Sequence, residues 1–460
     1  MSWGQKFTEK NSIIMMFMNW RNGSLIALGV LVAGLLIGWQ LSPRVSEVSP
    51  GGEENIHGRQ PLTIQFNRAM DPESVEGAFE ILPPIEGKIS WDAEGKLLSF
   101  TPRNIWPAGE TVAIRLRRGL QSKLKLPGWQ EFIFEWMVRP TSLVYLWPAD
   151  GKSNLYQVNP ENGESQALTD HPGGVLDYSI APNKAQIYYS FIDDTGLSKI
   201  MIFDLLTRKA SSVIDCEDAL CTNPQLAPSG DHLAYEVISP ESGILPGVQI
   251  YNLNDQSKED LGTKNEYLEN PLWSPAGWLS YYNRTSKGYQ FWIPGTETSR
   301  FFPNETGGFG TWSADGRYFL TSEILFVGET LAPRHLQLYD LVEGTIQDLS
   351  EGDFLEDLNP SFSTRGLRFA FSRKSLSPQD WTPGRQLWVM DLDSGESYPL
   401  TDEVDYQHTS YAWHPDGAQL AYVRYNQAVL SELPEIWLGN TSSGEALRLI
   451  INGFAPGWIP

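Results

Sequence analysis

Four polar residues recur at the same place in a repeated unit of the chain: Asp177, Asn223, Asn270 and Asn359. The three asparagines are each followed directly by proline. Carboxylate and amide side chains repeated in this way could form a polar ring that binds a ligand or a peptide. The competing interpretation is that Asn-Pro starts a strand by turn chemistry alone. We favour turn chemistry and keep the four as candidate ligand-binding residues, expected just before the innermost strand of each unit.

Motifs for catalysis, cofactors and metals do not occur in the sequence. It has no Gly-x-Ser-x-Gly of a serine hydrolase, no phosphate-binding Gly-x-x-x-x-Gly-Lys-Ser/Thr and no His-Glu-x-x-His. His414 stands where other copies of the unit have serine, which indicates a structural role. Residues 391–396 look like a calcium loop, but a hairpin turn explains them and an EF-hand needs further spaced carboxylates. We therefore predict no catalytic, cofactor or metal-binding residues.

The composition excludes nucleic acid as a partner. The 460 residues carry a formal net charge of −22, whereas phosphate binding needs clustered Lys and Arg. With 41% hydrophobic residues, the chain can bury a substantial core. The only cysteines are Cys216 and Cys221, too few for a metal site. They fit a small loop disulfide if this region lies outside the cytosol, and equally two unpaired thiols in a loop.

The N-terminal region predicts a membrane anchor. Residues 24–41 contain no charge and are just long enough to span a bilayer as a helix. Basic residues exceed acidic ones in 1–23, which places this tail in the cytoplasm and the rest of the chain outside. A cleaved signal peptide is the alternative, but the apolar run is longer than usual and no small-x-small site follows it. Residues 42–58, rich in Ser, Pro, Gly and Glu, predict an exposed tether.

Residues 59–140 predict a β-sandwich, because short alternating stretches are separated by turn residues. This stretch resembles the bacterial Ig-like domain found in surface-layer proteins. The residues that carry the resemblance are Ile64-Gln65-Phe66-Asn67-Arg68-Ala69-Met70-Asp71-Pro72, Leu98-Ser99-Phe100-Thr101-Pro102 and Pro107-Ala108-Gly109-Glu110-Thr111. The resemblance implies a spacer or adhesive module without chemistry of its own.

Residues 141–460 repeat a unit made of an apolar residue, a small polar residue, a turn and an alternating strand. Copies of the turn fall near positions 182, 228, 275, 314, 364, 415 and 460. Four short strands per repeat of about 40–50 residues are typical of a β-propeller blade. The last copy stops after one strand, and its missing remainder stands at 143–168. We therefore predict seven blades, the first completed by the C-terminal strand that closes the ring, with six blades as the alternative.

The repeats resemble those of TolB-like (WD40-like, PD40) propellers. The best matches are Trp273-Ser274-Pro275, Trp312-Ser313-Ala314-Asp315-Gly316 and Trp413-His414-Pro415-Asp416-Gly417. The pattern departs from the family at Asn183-Lys184 and at Thr364-Arg365. The resemblance implies an all-β chain with a propeller at 141–460, preceded by the Ig-like sandwich and the anchor.

These features together predict a single-pass protein of a bacterial cell membrane with most of its chain outside the cytoplasm. We expect a non-catalytic binding or scaffold protein whose propeller face binds an envelope or membrane protein or another envelope ligand. The alternative is an envelope enzyme, a glycan hydrolase or lyase, with carboxylates gathered at the propeller channel. A sensor is a third hypothesis, which the shortness of the 1–23 tail disfavours.

Overall fold

The computed structural model describes residues 42–51, 56, 61–103, 106–107, 110–138, 141–182, 185–205, 207–239, 243–326, 333–415 and 417–459. The tail 1–23 and the apolar run 24–41, predicted as a membrane helix, lie outside these residues. Within the described parts of the chain, no helix is both long enough and apolar enough to cross a membrane. The chain divides into two compact units, Met1–Arg139 and Pro140–Pro460, which we describe separately.

In its described residues, the first unit is a β-sandwich with one short helix. Its elements are β1 (Val45–Ser49), β2 (Leu62–Phe66), α1 (Pro72–Glu76), β3 (Phe79–Leu82), β4 (Gly87–Trp91), β5 (Leu97–Pro102), β6 (Thr111–Leu116) and β7 (Phe132–Met137). One sheet has the order β1-β2-β5-β4 and the other β3-β6-β7. Alternate residues of β2, β5 and β6 point into a shared core that also holds Trp106 and Trp136. The predicted sandwich is therefore present.

The sandwich begins earlier than the sequence suggested. Residues 42–58 were expected to be a tether, yet Val45–Ser49 forms a strand paired with β2. Val45 and Val48 pack against the sandwich core, and Ile56 is fully buried in it. Because the segment is mostly polar, its sequence did not indicate that Val45, Val48 and Ile56 pack in or against the core.

The described residues of the second unit form 28 strands. In chain order they are β8 (Ser142–Trp147), β9 (Asn154–Val158), β10 (Ser165–Ala167), β11 (Val175–Ile180), β12 (Gln186–Ile192), β13 (Ser198–Asp204), β14 (Lys209–Asp215), β15 (Leu220–Leu226), β16 (His232–Ile238), β17 (Gly247–Asn252), β18 (Lys258–Asp260), β19 (Leu268–Trp273), β20 (Leu279–Asn283), β21 (Gly288–Trp292), β22 (Ser299–Pro303), β23 (Thr311–Trp312), β24 (Tyr318–Ile324), β25 (Arg334–Asp340), β26 (Thr345–Asp348), β27 (Leu355–Phe362), β28 (Arg368–Ser375), β29 (Gln386–Asp391), β30 (Ser397–Pro399), β31 (Tyr406–Trp413), β32 (Gln419–Asn426), β33 (Glu435–Asn440), β34 (Ala446–Ile451) and β35 (Phe454–Ile459).

These strands form seven open, four-stranded antiparallel sheets, which we number as blades 1 to 7 along the chain. Blades 2 to 7 each use four consecutive strands, starting at β11, β15, β19, β23, β27 and β31. Blade 1 has the order β35-β8-β9-β10, so its innermost strand comes from the C-terminus. Trp458 pairs with Leu143, and Ile459 with Ser142. The prediction that both ends of the repeat region share one sheet is confirmed.

Buried side chains join each blade to the next. Separate apolar clusters connect blades 1 and 2, 2 and 3, 3 and 4, 4 and 5, 5 and 6, and 6 and 7. A further cluster packs Ala421 and Val423 of blade 7 against Leu143, Tyr145 and Trp458 of blade 1. The series of blade interfaces thus returns to its start, which is the arrangement of a seven-bladed propeller.

Strand direction separates the loops of each blade into two sets. Turns between the first and second strands, and between the third and fourth, emerge at one end of a blade. Loops between the second and third strands, and connections to the next blade, emerge at the other end, which we call the connecting face. The repeated turn units such as 227–231 and 274–278 lie at the end opposite the connecting face.

Candidate functional site

The four sequence-predicted residues do not precede the innermost strands, as was expected, but lie inside them. Asn223 lies within β15, Asn270 within β19 and Asn359 within β27, each where the pairing register with the second strand shifts. The three have φ values of 51°, 57° and 52°. Such a shift marks a β-bulge, and asparagine adopts this left-handed conformation more readily than most residues. The Asn-Pro pairs therefore mark bulges rather than strand starts.

The same bulge occurs in two blades whose residues the sequence did not reveal. Ser410 in β31 has φ 51° and Ala455 in β35 has φ 49°, both at register shifts. Asp177 takes the corresponding place in β11, and in blade 5 the residue at the same spacing from the turn is Phe309, which lies two residues before β23. The Phe309 side chain is 71% exposed. The position is thus polar in blades 2, 3, 4, 6 and 7, aromatic in blade 5 and alanine in blade 1.

Carboxylates from one blade hold the bulge of the next. Asp177 Oδ2 accepts a 2.6 Å hydrogen bond from the main-chain N–H of Asn223. In the same way, Glu236 Oε1 accepts a 2.7 Å bond from the N–H of Asn270. Glu236 also accepts from the Asn223 side chain at 3.2 Å, and Gln225 donates to Asn223 Oδ1 at 2.8 Å. Asp177, Asn223, Glu236 and Asn270 therefore form one network across blades 2, 3 and 4, which we call the bulge network.

Burial changes the acidity of Asp177. Desolvation raises its pKa to about 6, against the opposing effect of hydrogen bonds from Ser190 and Asn223. The nearby negative charge of Glu236 raises the pKa further. Asp177 therefore changes its charge near pH 6, and its two oxygens accept hydrogen bonds from Ser190 and the Asn223 N–H.

Asn359 belongs to a different set of contacts. Its amide donates to Thr409 Oγ1 of blade 7 at 3.3 Å. Close by in β27, the fully buried Asp357 accepts two 2.7 Å bonds from Arg373 and a 2.6 Å bond from Ser350. The structure thus brings Asp177, Asn223 and Asn270 together, whereas Asn359 lies in the contact between blades 6 and 7.

A second ionic cluster lies in blade 7 and the connection before it. Glu403 accepts from Arg424 and lies 3.3 Å from Nε2 of the buried His408. These two contacts lower the pKa of Glu403 to about 2, the His408 contact contributing most. Arg424 also bonds Glu435 at 3.0 Å and lies over the rings of Tyr406 and Trp437.

The two cysteines and His414 have structural roles in the propeller unit. Cys216, in the connection between blades 2 and 3, forms a disulfide with Cys221 of β15, so of the two alternatives the disulfide is the one present. His414 is buried in the turn of blade 7 and packs edge-on against Trp458, with ring centroids 4.6 Å apart. Across the described residues, no group of three or more His, Cys, Asp and Glu side chains is placed to hold a metal ion.

Comparison with known proteins agrees with this architecture. Residues 40–132 match a family model described as a bacterial Ig-like domain. That range includes β1, in agreement with the early start of the sandwich. No curated protein matches the chain at a significant level.

Three solved structures are similar to parts of this chain at low sequence identity. A prolyl endopeptidase structure is 11% identical, with a TM-score of 0.51, covering 76% of this chain and 49% of that one. TolB from Acinetobacter baumannii is 12% identical, with a TM-score of 0.45 and 83% coverage of both chains. The β-propeller domain of the Trilobed protease from Pyrococcus furiosus is 14% identical, with a TM-score of 0.45, covering 60% of this chain and 82% of that domain. The endopeptidase likeness supports the fold alone, and this chain spans about half of that enzyme's length.

Proposed function

We propose that the chain is a membrane-anchored, extracytoplasmic binding or scaffold protein that takes a protein or envelope ligand at the bulges of its innermost strands. The observation that carries this proposal is the succession of Asn223, Asn270 and the exposed Phe309 at equivalent positions in blades 3, 4 and 5. Amides offer both donors and acceptors, and an exposed aromatic ring adds apolar contact area. Amide groups and exposed aromatic side chains are common in binding sites.

The bulge network supports binding because its carboxylates are used to hold the backbone. Both oxygens of Asp177 accept hydrogen bonds, and Glu236 accepts from the bulge residues of two blades. A bulge held from the neighbouring blade keeps a fixed conformation before a ligand arrives. Such preorganisation reduces the ordering cost of binding.

The disulfide supports the extracytoplasmic location. Disulfides persist in oxidising compartments and are rare in the cytosol. The apolar run 24–41 and the basic residues before it give the orientation. In intact spheroplasts we expect added protease to digest the Ig-like unit and alkylating reagents to leave Cys216 and Cys221 unmodified until a reductant is added. Protection from protease together with free thiols would contradict the proposed location.

Co-purification from native membranes tests the binding role. The full chain is compared with a variant carrying Asn223→Gly, Asn270→Gly and Asn359→Gly, because glycine keeps the positive φ while removing the side chains. We expect a discrete partner that is recovered with the wild type and lost with the triple variant. Equal recovery with both proteins would place the binding site elsewhere.

The alternative function is an envelope enzyme acting on glycans, and one observation favours it. Asp177, with its pKa raised to about 6, is close enough to Glu236 to be affected by its charge. A protonated carboxyl beside an ionised one is the pairing that glycoside hydrolysis uses. This alternative predicts product release from envelope glycans with a pH midpoint near 6, abolished by Asp177→Asn. Binding without product release would exclude the glycan substrates tested.

A further inference from the structure

Blades 6 and 7 expose large apolar side chains on their connecting face. Phe354, Trp381, Val404, Val429, Leu430 and Leu433 lie on four loops of this face and are each at least 41% exposed. We call these six residues the apolar rim. By contrast, the described residues in the opposite turns of the two blades, 363–367, 392–396, 414–418 without 416, and 441–445, include no large apolar side chain that is exposed. The exposure is therefore specific to one face.

Main-chain hydrogen bonds connect the four loops into one surface. The Leu376 N–H donates to the Phe354 oxygen at 2.7 Å, which joins loop 349–354 to loop 376–385. Gly384 N–H donates to the Val404 oxygen at 2.9 Å, and Gln427 N–H to the Asp405 oxygen at 2.8 Å. The rim is thus supported by consecutive, bonded loops. Exposed apolar side chains grouped on adjoining loops are typical of interaction sites.

The charges around the rim define what can cover it. The four loops contain seven acidic residues and one basic residue, Arg385, which is paired with Glu356. Lys374 of β28 adds a positive charge beside them, with its Nζ 5.5 Å from the centroid of the Trp381 ring. Asp353, Asp380, Asp402 and Asp405 are exposed, and none of them forms a salt bridge with a described Lys, Arg or His. An anionic lipid surface would be repelled by these carboxylates, as would a second copy of a chain with net charge −22. A partner with both apolar and basic side chains could cover the apolar rim and also pair with the carboxylates around it.

We propose that the apolar rim with its surrounding carboxylates is a docking surface for a protein segment that combines exposed aromatic or aliphatic side chains with Lys or Arg. The apolar side chains supply contact area, and the carboxylates select and orient the partner. The rim does not include the bulge network, so this surface goes beyond the proposed function and either of them can fail alone.

A peptide titration tests the docking surface. The full chain in nanodiscs of phosphatidylcholine is titrated against a fluorescein-labelled peptide of four Lys-Tyr-Ser repeats, followed by fluorescence anisotropy. The Trp381→Ser/Leu430→Ser variant leaves the net charge unchanged, and we expect it to bind the peptide at least tenfold more weakly. The matched control, Val342→Ser/Leu447→Ser, removes exposed apolar residues away from the rim and should change binding less than twofold.

Two further comparisons separate charge from apolar contact. Asp402→Asn/Asp405→Asn should weaken binding at least fivefold, and a peptide of four Glu-Tyr-Ser repeats should not bind. Equal affinity of the wild type, the rim variant and the control variant would overturn the proposal, because it would show attraction to the overall negative charge alone. Loss of peptide binding in Asn270→Gly would also overturn it, by placing the peptide at the bulge network. Co-sedimentation with phosphatidylglycerol vesicles that depends on Trp381 and Leu430 would overturn it in favour of a membrane surface.

Discussion

The indole Nε1 of Trp458 donates a 3.0 Å hydrogen bond to the main-chain oxygen of Ala412. Trp458 belongs to blade 1 and Ala412 to blade 7, so this bond joins the C-terminal strand to the blade before it. Equivalent tryptophans make the same contact elsewhere: Trp273 with Gln225, Trp312 with Leu272 and Trp413 with Ser361. The recurrent tryptophan of the repeat is therefore a donor to the innermost strand of the preceding blade.

Two substitutions of Trp458 should distinguish the stability contributed by its hydrogen bond from the stability contributed by its packing. Trp458→Phe removes the donor and should lower the free energy of unfolding by about 1 kcal/mol. Trp458→Ala also leaves a cavity at the junction of blades 1 and 7 and should cost about 3–5 kcal/mol. Denaturant unfolding of both variants measures the difference. Trp129→Phe, at a 75% exposed site, is the control and should change stability by less than about 0.5 kcal/mol.

At the Asn270 bulge, we expect glycine to be less destabilising than alanine. Asn270→Gly should preserve stability, whereas Asn270→Ala should cost about 1 kcal/mol, because an alanine Cβ is strained at φ 57°. Thermal unfolding of the two variants tests this. If alanine proved as stable as glycine, the left-handed bulge would not be the conformation in solution.

Asp177 should make stability fall as the pH rises. Its pKa in the folded chain is about 6, against an ordinary value of 3.8, so the folded state binds more protons than the unfolded state between these pH values. The free energy of unfolding of the wild type, relative to Asp177→Asn, should therefore decrease from pH 4 to pH 6 and level off above. A difference that rises with pH over this interval would show that burial does not govern this carboxyl.

Glu403 should make stability rise with pH, which is the opposite of the effect expected from Asp177. Contacts with His408 and Arg424 lower its pKa to about 2 from an ordinary value of 4.5, so the folded state favours the ionised form. The stabilisation is present above pH 4.5 and is lost as the pH falls toward 2. Glu403→Gln should thus be destabilised at pH 7, with the deficit shrinking in acid. Denaturant midpoints at pH 3 and pH 7 provide the comparison, and an equal deficit at both would contradict it.

The propeller could be predicted from the sequence because each repeat carries its own turn and strands. The pairing of β35 with β8 followed from a truncated last copy and an incomplete first one. The bulge network could not be predicted, because Asp177 and Glu236 each act on a residue in the next blade, about 34–46 positions further along the chain. The bulges at Ser410 and Ala455 could not be predicted either, because these residues share the conformation but lack the Asn-Pro pair.

Site-specific photo-crosslinking tests the binding role most directly. A benzoylphenylalanine at Phe309 replaces one exposed aromatic ring with another, and the same probe at Phe301, on the outer strand of blade 4, serves as control. In intact cells we expect a discrete adduct from position 309 that is absent from position 301 and lost on adding Asn270→Gly. Equal labelling from both positions, or no adduct from position 309, would contradict a ligand site at the bulges of the innermost strands.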